Sequence, residues 1–212
     1  MIITVCNGKG GAGKTTLAVL LALAWTRLGR APALLDCDPQ QTATRWLAAL
    51  GESLSASGDN PTGDPLIIDT PPLLTSPALH EALRQSDLVL LVSSASPADL
   101  WSAQNTAAVV REHLRPAARA FIVFNQIQKN ALLARDLGHL AERIGLPMLP
   151  HYLPRRQSFQ HAALLGWRAL DRRTRDLLIA LATDLVASAP AAPNPSDIPT
   201  PHDQESRTLA QT

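Results

Sequence analysis

Cysteines, long apolar runs and an N-terminal leader are scarce or missing in this 212-residue sequence. The two cysteines, Cys6 and Cys37, fall within or at the end of apolar, strand-like segments and form no CxxC pair. Neither a disulfide framework nor a cysteine metal site is therefore expected. No apolar run reaches the ~18 residues of a membrane span, and the first residues lack the basic and apolar regions of a signal peptide. The sequence predicts a cytoplasmic protein that does not enter a membrane.

A strong overall charge is also missing, because 19 lysines and arginines stand against 18 acidic residues. The charge is nevertheless unevenly placed along the chain. Residues 143–175 carry seven arginines and one aspartate, whereas the tail from Ser188 carries three acidic residues and one arginine. A local excess of arginine indicates either a solvated face or a surface that binds anions such as DNA.

Short apolar segments alternate with longer helical segments along residues 1–187, which is typical of parallel βαβ units. We expect strands near 2–6, 31–36, 65–69, 87–93, 119–125 and 146–149, and helices near 14–28, 41–50, 76–84, 97–115, 129–144, 156–165 and 171–187. Because the strands are apolar throughout, the sequence predicts an α/β fold, a doubly wound and mostly parallel sheet flanked by helices.

Two segments lie outside this alternation. Residues 51–64 are rich in Gly, Ser, Asp and Pro, which indicates a surface loop. Residues 188–212 are dense in proline and nearly free of large apolar side chains, so they cannot bury enough surface to offset the entropy of ordering. We expect a nucleotide-binding domain over 1–187 and a disordered tail over 188–212.

A glycine-rich segment between the first strand and the first helix has the pattern G-x-x-x-x-G-K-[ST] of a phosphate-binding loop. Glycines let consecutive backbone N–H groups surround phosphate oxygens, and the N-terminus of the following helix attracts the same anion. We expect Lys14 to contact the terminal phosphates of a nucleotide and the Thr15 hydroxyl to bind Mg²⁺. The predicted nucleotide-binding residues of the loop are Gly8, Lys9, Gly10, Gly11, Ala12, Gly13, Lys14, Thr15 and Thr16.

Aspartates end the second and third predicted strands. Asp36 and Asp38 follow Leu35, and Asp69 follows the apolar run 66–68. The carboxyl ends of parallel strands meet at one edge of a sheet, so these carboxylates are expected beside the phosphates. Asp69 is typical of the Walker B carboxylate, which holds Mg²⁺ through water. The pair Asp36 and Asp38 by itself fits capping of the next helix equally well.

Residues 9–16, KGGAGKTT, resemble the deviant Walker A motif of the ParA/MinD superfamily, and residues 36–40, DCDPQ, resemble its DxDPQ segment. The resemblance covers residues 1–187 and is greatest to small plasmid ParA partition proteins of the ParF type. It implies a P-loop NTPase fold and slow, partner-stimulated hydrolysis of ATP to ADP with Mg²⁺. It also implies an ATP-dependent homodimer in which Lys9 reaches the nucleotide of the partner.

The same resemblance implies roles for individual residues. Asp38 is expected to orient or activate the attacking water, and the implied catalytic residues are Lys9, Lys14 and Asp38. The implied Mg²⁺ shell contains Thr15, Asp36 and Asp69. Asn125, at the end of FIVFN, matches an asparagine that contacts adenine, and Pro154 lies in a segment that resembles the motif flanking the base.

The resemblance implies a partition ATPase whose ATP-bound dimer binds DNA without sequence preference and works with a ParB-like or centromere-binding adaptor. Such a protein would associate with the nucleoid. The candidate DNA contacts, at the start of the last predicted helix, are Arg168, Arg172, Arg173 and Arg175. An ordinary solvated face, partly neutralised by Asp171 and Asp176, is the alternative.

Other functions of the same fold stay open. The same nucleotide site could position another cargo, such as a secretion, chemosensory or carboxysome-like complex, or could assist cellulose synthesis. A metabolic ATP-dependent ligase would need a further small-molecule pocket. A membrane-bound division regulator would need a lysine-rich amphipathic helix that the tail lacks, and an iron-protein-like electron donor would need cluster cysteines. The segment between Gln40 and Asp69 is short for the family, and the tail has no counterpart that we can match.

Overall fold

Six parallel strands form one sheet in the computed structural model, which describes residues 1–56, 62–128 and 135–190. The strands are β1 (Ile2–Cys6), β2 (Ala33–Asp36), β3 (Ser55–Ala56), β4 (Leu66–Asp69), β5 (Leu88–Ser93) and β6 (Arg119–Phe124). The helices are α1 (Lys14–Arg27), α2 (Thr42–Ala49), α3 (Pro77–Gln85), α4 (Pro97–His113), α5 (Leu137–Ile144), α6 (Gln157–Leu165) and α7 (Arg172–Ser188). The predicted α/β fold with a mostly parallel sheet is confirmed.

The strand order β3-β2-β4-β1-β5-β6 places β1 in the interior of the sheet, between β4 and β5. Sheets of this kind bind ligands in the crevice beyond the carboxyl ends of the strands. The register brings Asp36 of β2 beside Asp69 of β4, and Val5 of β1 lies on the other side of Asp69. Consequently the phosphate loop, which follows β1, begins next to two of the predicted carboxylates.

The two larger apolar cores lie on the two sides of the sheet. Residues 17–25 of α1 are all buried, including Trp25, and α1 packs against α2, α7 and the sheet. A helix that is apolar all round is stable only when it is covered on every side, which explains its central place. The second core joins α3, α4 and α5 to the opposite face of the sheet. This two-sided cover is the doubly wound arrangement that the apolar strands predict.

The predicted strand at 146–149 is wrong, because these residues form only one bridge, between Met148 and Ile122. Ile122 donates to the carbonyl of Pro147 at 2.8 Å and accepts from the amide of Leu149 at 3.1 Å. Pro147 and Pro150 have no N–H group, so a regular ladder cannot continue through this segment.

Smaller differences occur in two other segments. The predicted loop 51–64 contains the two-residue strand β3, which pairs with β2. The helix predicted for 129–144 begins at Leu137, and 129–134 lie outside the described residues, as does the tail from residue 191. Within the described part of the chain, no helix has both the length and the apolar character required to cross a bilayer.

Candidate nucleotide site

The phosphate loop leads directly into the N-terminus of α1. Gly13 precedes the first residue of α1 with φ at +96°, a left-handed conformation that favours glycine, and its carbonyl accepts from Leu17 at 2.9 Å. The first N–H groups of a helix have no intrahelical partner, and the N-cap residue of α1, Gly13, has no side chain to accept from them. Gly13, Lys14, Thr15 and Thr16 all line the cleft above the sheet. The cleft is therefore bordered by a helix N-terminus suited to an anion.

Asn125 and Gln126, which follow β6, brace the phosphate loop from the opposite side. The Asn125 side-chain amide donates to the carbonyl of Ala12 at 2.9 Å, and that of Gln126 donates to the carbonyl of Gly11 at 3.0 Å. A Cβ atom at Gly13 would lie 2.1 Å from Asn125 Nδ2, so this close approach also requires glycine. Asn125 lines the cleft, and it supports the loop as well.

The cleft has a volume of about 580 Å³, within the range of small-molecule sites. One wall is formed by α6 and the segment just before it, and contains the predicted Pro154. The remaining residues of that wall are Arg155, Arg156, Phe159, Gln160 and Ala163, and Trp46 of α2 closes one side. Three predicted loop residues do not line this cleft: Gly8, Lys9 and Ala12.

The two lysines of the loop differ in environment. Lys14 is buried, and its ammonium donates to the carbonyl of Lys9 at 3.4 Å. Burial lowers the pKa of Lys14, an effect that the carboxylates of Asp69 and Asp38 partly oppose. Lys9 instead has a side chain that is 41% exposed and forms an ion pair with Asp99 in the first turn of α4. Thus Lys14 lies at its own cleft, whereas Lys9 is held outside it.

The carboxylates after β2 make local backbone contacts. Asp36 accepts from the amides of Asp38, at 3.1 Å, and Thr44, at 3.0 Å, so it does cap the first turn of α2. Asp38 accepts from the amide of Gln40 at 2.9 Å and lines the cleft. Asp36 therefore acts as a cap for α2, and Asp38 is the carboxylate of the pair that borders the cleft.

Asp69 is the most unusual carboxylate of the site. It is fully buried, and neither of its oxygens has a hydrogen-bond partner of normal geometry among the described residues. Burial raises the pKa of Asp69 to about 7, and the nearby Thr15 hydroxyl and Lys14 ammonium only partly counteract this. A buried carboxylate without partners is costly unless a cation compensates it. This arrangement fits a site for a divalent metal ion.

Magnesium suits this donor set. Mg²⁺ is usually held by one or two protein carboxylates together with water and substrate phosphates, rather than by a complete protein cage. Accordingly, the described residues contain no cluster of three or more His, Cys, Asp or Glu side chains arranged around one point. Thr15 and Asp69 are the residues that would hold the ion, with Asp36 on the adjacent strand.

The predicted DNA-binding arginines are only partly brought together. Arg168, Arg172 and Arg173 are exposed, whereas Arg175 is half-buried and donates to the carbonyl of Arg168 at 3.1 Å. Arg172 lies 3.8 Å from Asp176, one turn further along α7. Arg173 borders a separate groove of about 400 Å³ beside the nucleotide cleft. Three exposed guanidinium groups thus surround the beginning of α7, and Arg175 has a structural contact.

Several residues near the loop were missed by sequence reasoning. Asn7, Asp99 and Thr106 contact its first residues, and Ser102 contacts Asn7. Asp99, Ser102 and Thr106 come from one face of α4. Their spacing of three and four residues is a polar stripe that could have been noticed in an otherwise unremarkable helix. Nothing in the sequence, however, indicates that this stripe meets residues that are 90 or more positions away.

Known proteins that are similar to this chain also point to a nucleotide-binding domain. The model of the CobQ/CobB/MinD/ParA nucleotide binding domain matches residues 3–166. The chain is 32% identical over 195 residues to the maintenance of carboxysome distribution protein A of Gloeobacter kilaueensis, covering 82% of this chain and 86% of that protein. It is 27% identical over 182 residues to the protein of the same name from Halothiobacillus neapolitanus, with coverages of 77% and 84%.

Solved structures show the same fold. The MinD cell division protein of Aquifex aeolicus superimposes with a TM-score of 0.71 at 15% identity, covering 89% of this chain and 98% of that chain. The ATP complex of a Cyanothece McdA variant gives a TM-score of 0.70 at 14% identity, with coverages of 88% and 96%. The match of the domain confirms the predicted ParA/MinD-type ATPase that uses ATP, ADP and Mg²⁺.

Proposed function

Because the chain belongs to the CobQ/CobB/MinD/ParA family of nucleotide-binding domains, we propose that it is a ParA-type positioning ATPase. It forms a homodimer when ATP is bound, the dimer binds DNA without sequence preference, and an adaptor protein stimulates hydrolysis. The observation that carries this proposal is the position of Lys9. This second lysine of the loop does not line its own nucleotide cleft and is partly exposed on the side of α4.

A cation outside the cleft is available to the nucleotide of a second copy of the chain. Lys9 would supply a positive charge to the terminal phosphates across the dimer, so that dimerisation depends on the γ-phosphate. Lys14 would contact the phosphates of the nucleotide bound to its own chain, and their negative charge would compensate the positive charge of its buried ammonium. In this arrangement Lys14 is needed for nucleotide binding, whereas Lys9 is needed for assembly.

Hydrolysis would use the carboxylates at the strand ends. Asp38 borders the cleft, where it would orient or activate the attacking water. Phosphoryl transfer depends mostly on positioning and charge neutralisation, which the helix N-terminus, the lysines and Mg²⁺ provide. The Mg²⁺ shell would include Thr15 and Asp69, with Asp36 in or near it.

The DNA-binding part of the proposal rests on the charge at the beginning of α7. Arg172 and Arg173 occupy the first turn, next to exposed Arg168. The helix dipole disfavours cations at a helix N-terminus, so these arginines do not serve the stability of α7. A phosphate at the same place is attracted both by the arginines and by the helix dipole. The neighbouring aromatic side chain, Trp167, is partly buried against the core, so contacts to the DNA backbone are favoured over base stacking.

The proposed cargo is a plasmid or chromosomal region that carries a ParB-like or centromere-binding adaptor. A second candidate is a protein compartment of the carboxysome kind, because two of the similar proteins are named for carboxysome distribution. Both candidates need the same ATP-dependent DNA binding and differ in the adaptor. Deleting the gene is expected to raise the loss of a resident replicon in the first case and to cluster protein compartments in the second.

Retention of DNA on a filter tests the common part of the proposal. We expect salt-sensitive retention with a non-hydrolysable ATP analogue and little with ADP. Replacing Arg168, Arg172 and Arg173 by alanine should abolish retention because the DNA contacts are lost. Lys9→Ala should also abolish retention, but by preventing dimerisation, and it should still bind ADP. Arg84→Ala, which removes an exposed arginine paired with Glu81 on α3, is the matched control. Equal retention with ADP and with the analogue would refute the proposal.

A further inference from the structure

A buried hydrogen-bond network joins the first residues of the phosphate loop to α4. Asn7, which follows β1, is 1% exposed, and its Nδ2 donates to the carbonyl of Val92 at the end of β5 at 2.6 Å. This contact fixes which side of the amide faces the loop. The Asn7 Oδ1 atom then accepts from the backbone amide of Lys9 at 2.9 Å and from the Ser102 hydroxyl at 3.0 Å.

Thr106 provides the second point of attachment. Its hydroxyl accepts from the backbone amide of Gly8 at 3.1 Å and donates to the carbonyl of Ser102 at 2.8 Å. A hydroxyl has only one hydrogen, so the longer approach to Asn7 Oδ1, at 3.4 Å, is a secondary contact. Thr106 is fully buried, and removing its hydroxyl would leave the Gly8 amide without this acceptor.

The network turns two loop amides away from the nucleotide cleft. In a phosphate loop, consecutive backbone N–H groups point together at one anion. The N–H groups of Gly8 and Lys9 instead donate to protein acceptors, the Thr106 hydroxyl and the Asn7 side chain. On the other side of the loop, a Cβ atom at Gly8 would lie 2.7 Å from the Leu74 side chain. The start of the loop is therefore held between α4 and the segment after β4.

We propose that Asn7 and Thr106 are positioning residues, which set the path of the loop so that Lys9 leaves it on the side of α4. The role of Lys9 in the dimer is taken from the proposed function, and the inference rests on it only to that extent. The later part of the loop, from Gly11 onwards, is held separately by Gln126, Asn125 and α1. Loss of the network should thus impair ATP turnover more than nucleotide binding.

Thr106→Val tests this inference, because valine keeps the shape of threonine and removes only the hydroxyl. We expect the affinity for ADP, measured by calorimetry, to change less than about 2-fold, and kcat to fall by roughly 10-fold or more, as for a small misplacement of reacting groups. Thr106→Ser keeps the hydroxyl and should restore kcat. The matched control is Thr183→Val on α7, which removes the same type of helix contact, from a threonine hydroxyl to the carbonyl of Ile179 at 2.9 Å.

The outcomes separate positioning from packing. A kcat of Thr106→Val within 2-fold of the wild-type value, or a loss that Thr106→Ser shares equally, would overturn the inference. Should Thr106→Val fail to fold, Ser102→Ala removes one of the two donors to Asn7 Oδ1 and must lower kcat without a matching change in ADP affinity. Sedimentation of the wild-type protein with the ATP analogue is measured separately: a monomer there would refute the proposed dimer, while the turnover of the variants still decides this inference.

Discussion

Removing the negative charge from Asp99 should make ATP-dependent dimerisation tighter. In the described monomer, the Lys9 ammonium is paired with Asp99, whose side chain is only 15% exposed. Burial by itself would raise the pKa of Asp99, but hydrogen bonds from Lys9, Ser94 and Ser96 hold it below the ordinary value. Asp99 is thus an anion at neutral pH, and Lys9 must leave it before it can reach a phosphate of another chain.

The magnitude follows from the exposure of the pair. Because the Lys9 side chain is 41% exposed, the pair is expected to stabilise the monomer by about 1 kcal/mol, the upper range for surface ion pairs. A dimer must release two such lysines, so the change should approach ~2 kcal/mol, or roughly 30-fold in the dimer dissociation constant. Asp99→Asn should cost each monomer about 1.5 kcal/mol of stability, since it removes this pair and also the charge near the N-terminus of α4, which contributes about 0.5 kcal/mol.

Sedimentation equilibrium of Asp99→Asn with a non-hydrolysable ATP analogue measures this effect. Asparagine keeps the size of the side chain and can still accept from the Ser96 hydroxyl, which lies 2.7 Å from Asp99. The double variant with Lys9→Ala is the control and should remain monomeric, because the expected gain acts only through Lys9. An unchanged or weaker dimer would mean that Asp99 contributes to the assembled interface, and the reasoning would be wrong.

Three further predictions concern the loop, hydrolysis and α7. Gly13→Ala should lower the free energy of unfolding by about 2 kcal/mol or more in a denaturant titration, because residue 13 has φ at +96° and a Cβ would lie 2.1 Å from Asn125 Nδ2. Asp38→Ala should bind ATP with little change in calorimetry but accumulate as an ATP-bound dimer, whereas Lys14→Ala should not bind; loss of binding in Asp38→Ala would contradict its assignment. Asp171→Ala should cost about 1 kcal/mol at pH 7, since its carboxylate caps α7. The backbone amide of Thr174 lowers the pKa of Asp171 below 3.8, so this difference should be constant above that pH and shrink as pH falls further; a difference that grows in acid would contradict the cap.

Much of the site could be predicted because its residues are close in sequence. The spacing of Gly8, Gly13 and Lys14, placed between an apolar strand and an apolar helix, indicates a phosphate loop without any knowledge of distant contacts. The aspartates that end β2 and β4 were also placed correctly at the same edge, since parallel strands bring their carboxyl ends together. Local pattern failed at residues 146–149, where prolines leave a segment that looks like a strand without the donors for a ladder.

The sequence by itself therefore determined the chemistry of the cleft: a helix N-terminus, a buried lysine and strand-end carboxylates. Only the tertiary structure decided what holds that chemistry in place. Lys9 contacts Asp99, which is 90 positions away, and Ala12 contacts Asn125, which is 113 positions away. The strand order and the packing of α4 bring these residues together. Such contacts depend on how whole elements pack, and helical or strand periodicity specifies which face of an element is buried but not which residue it meets.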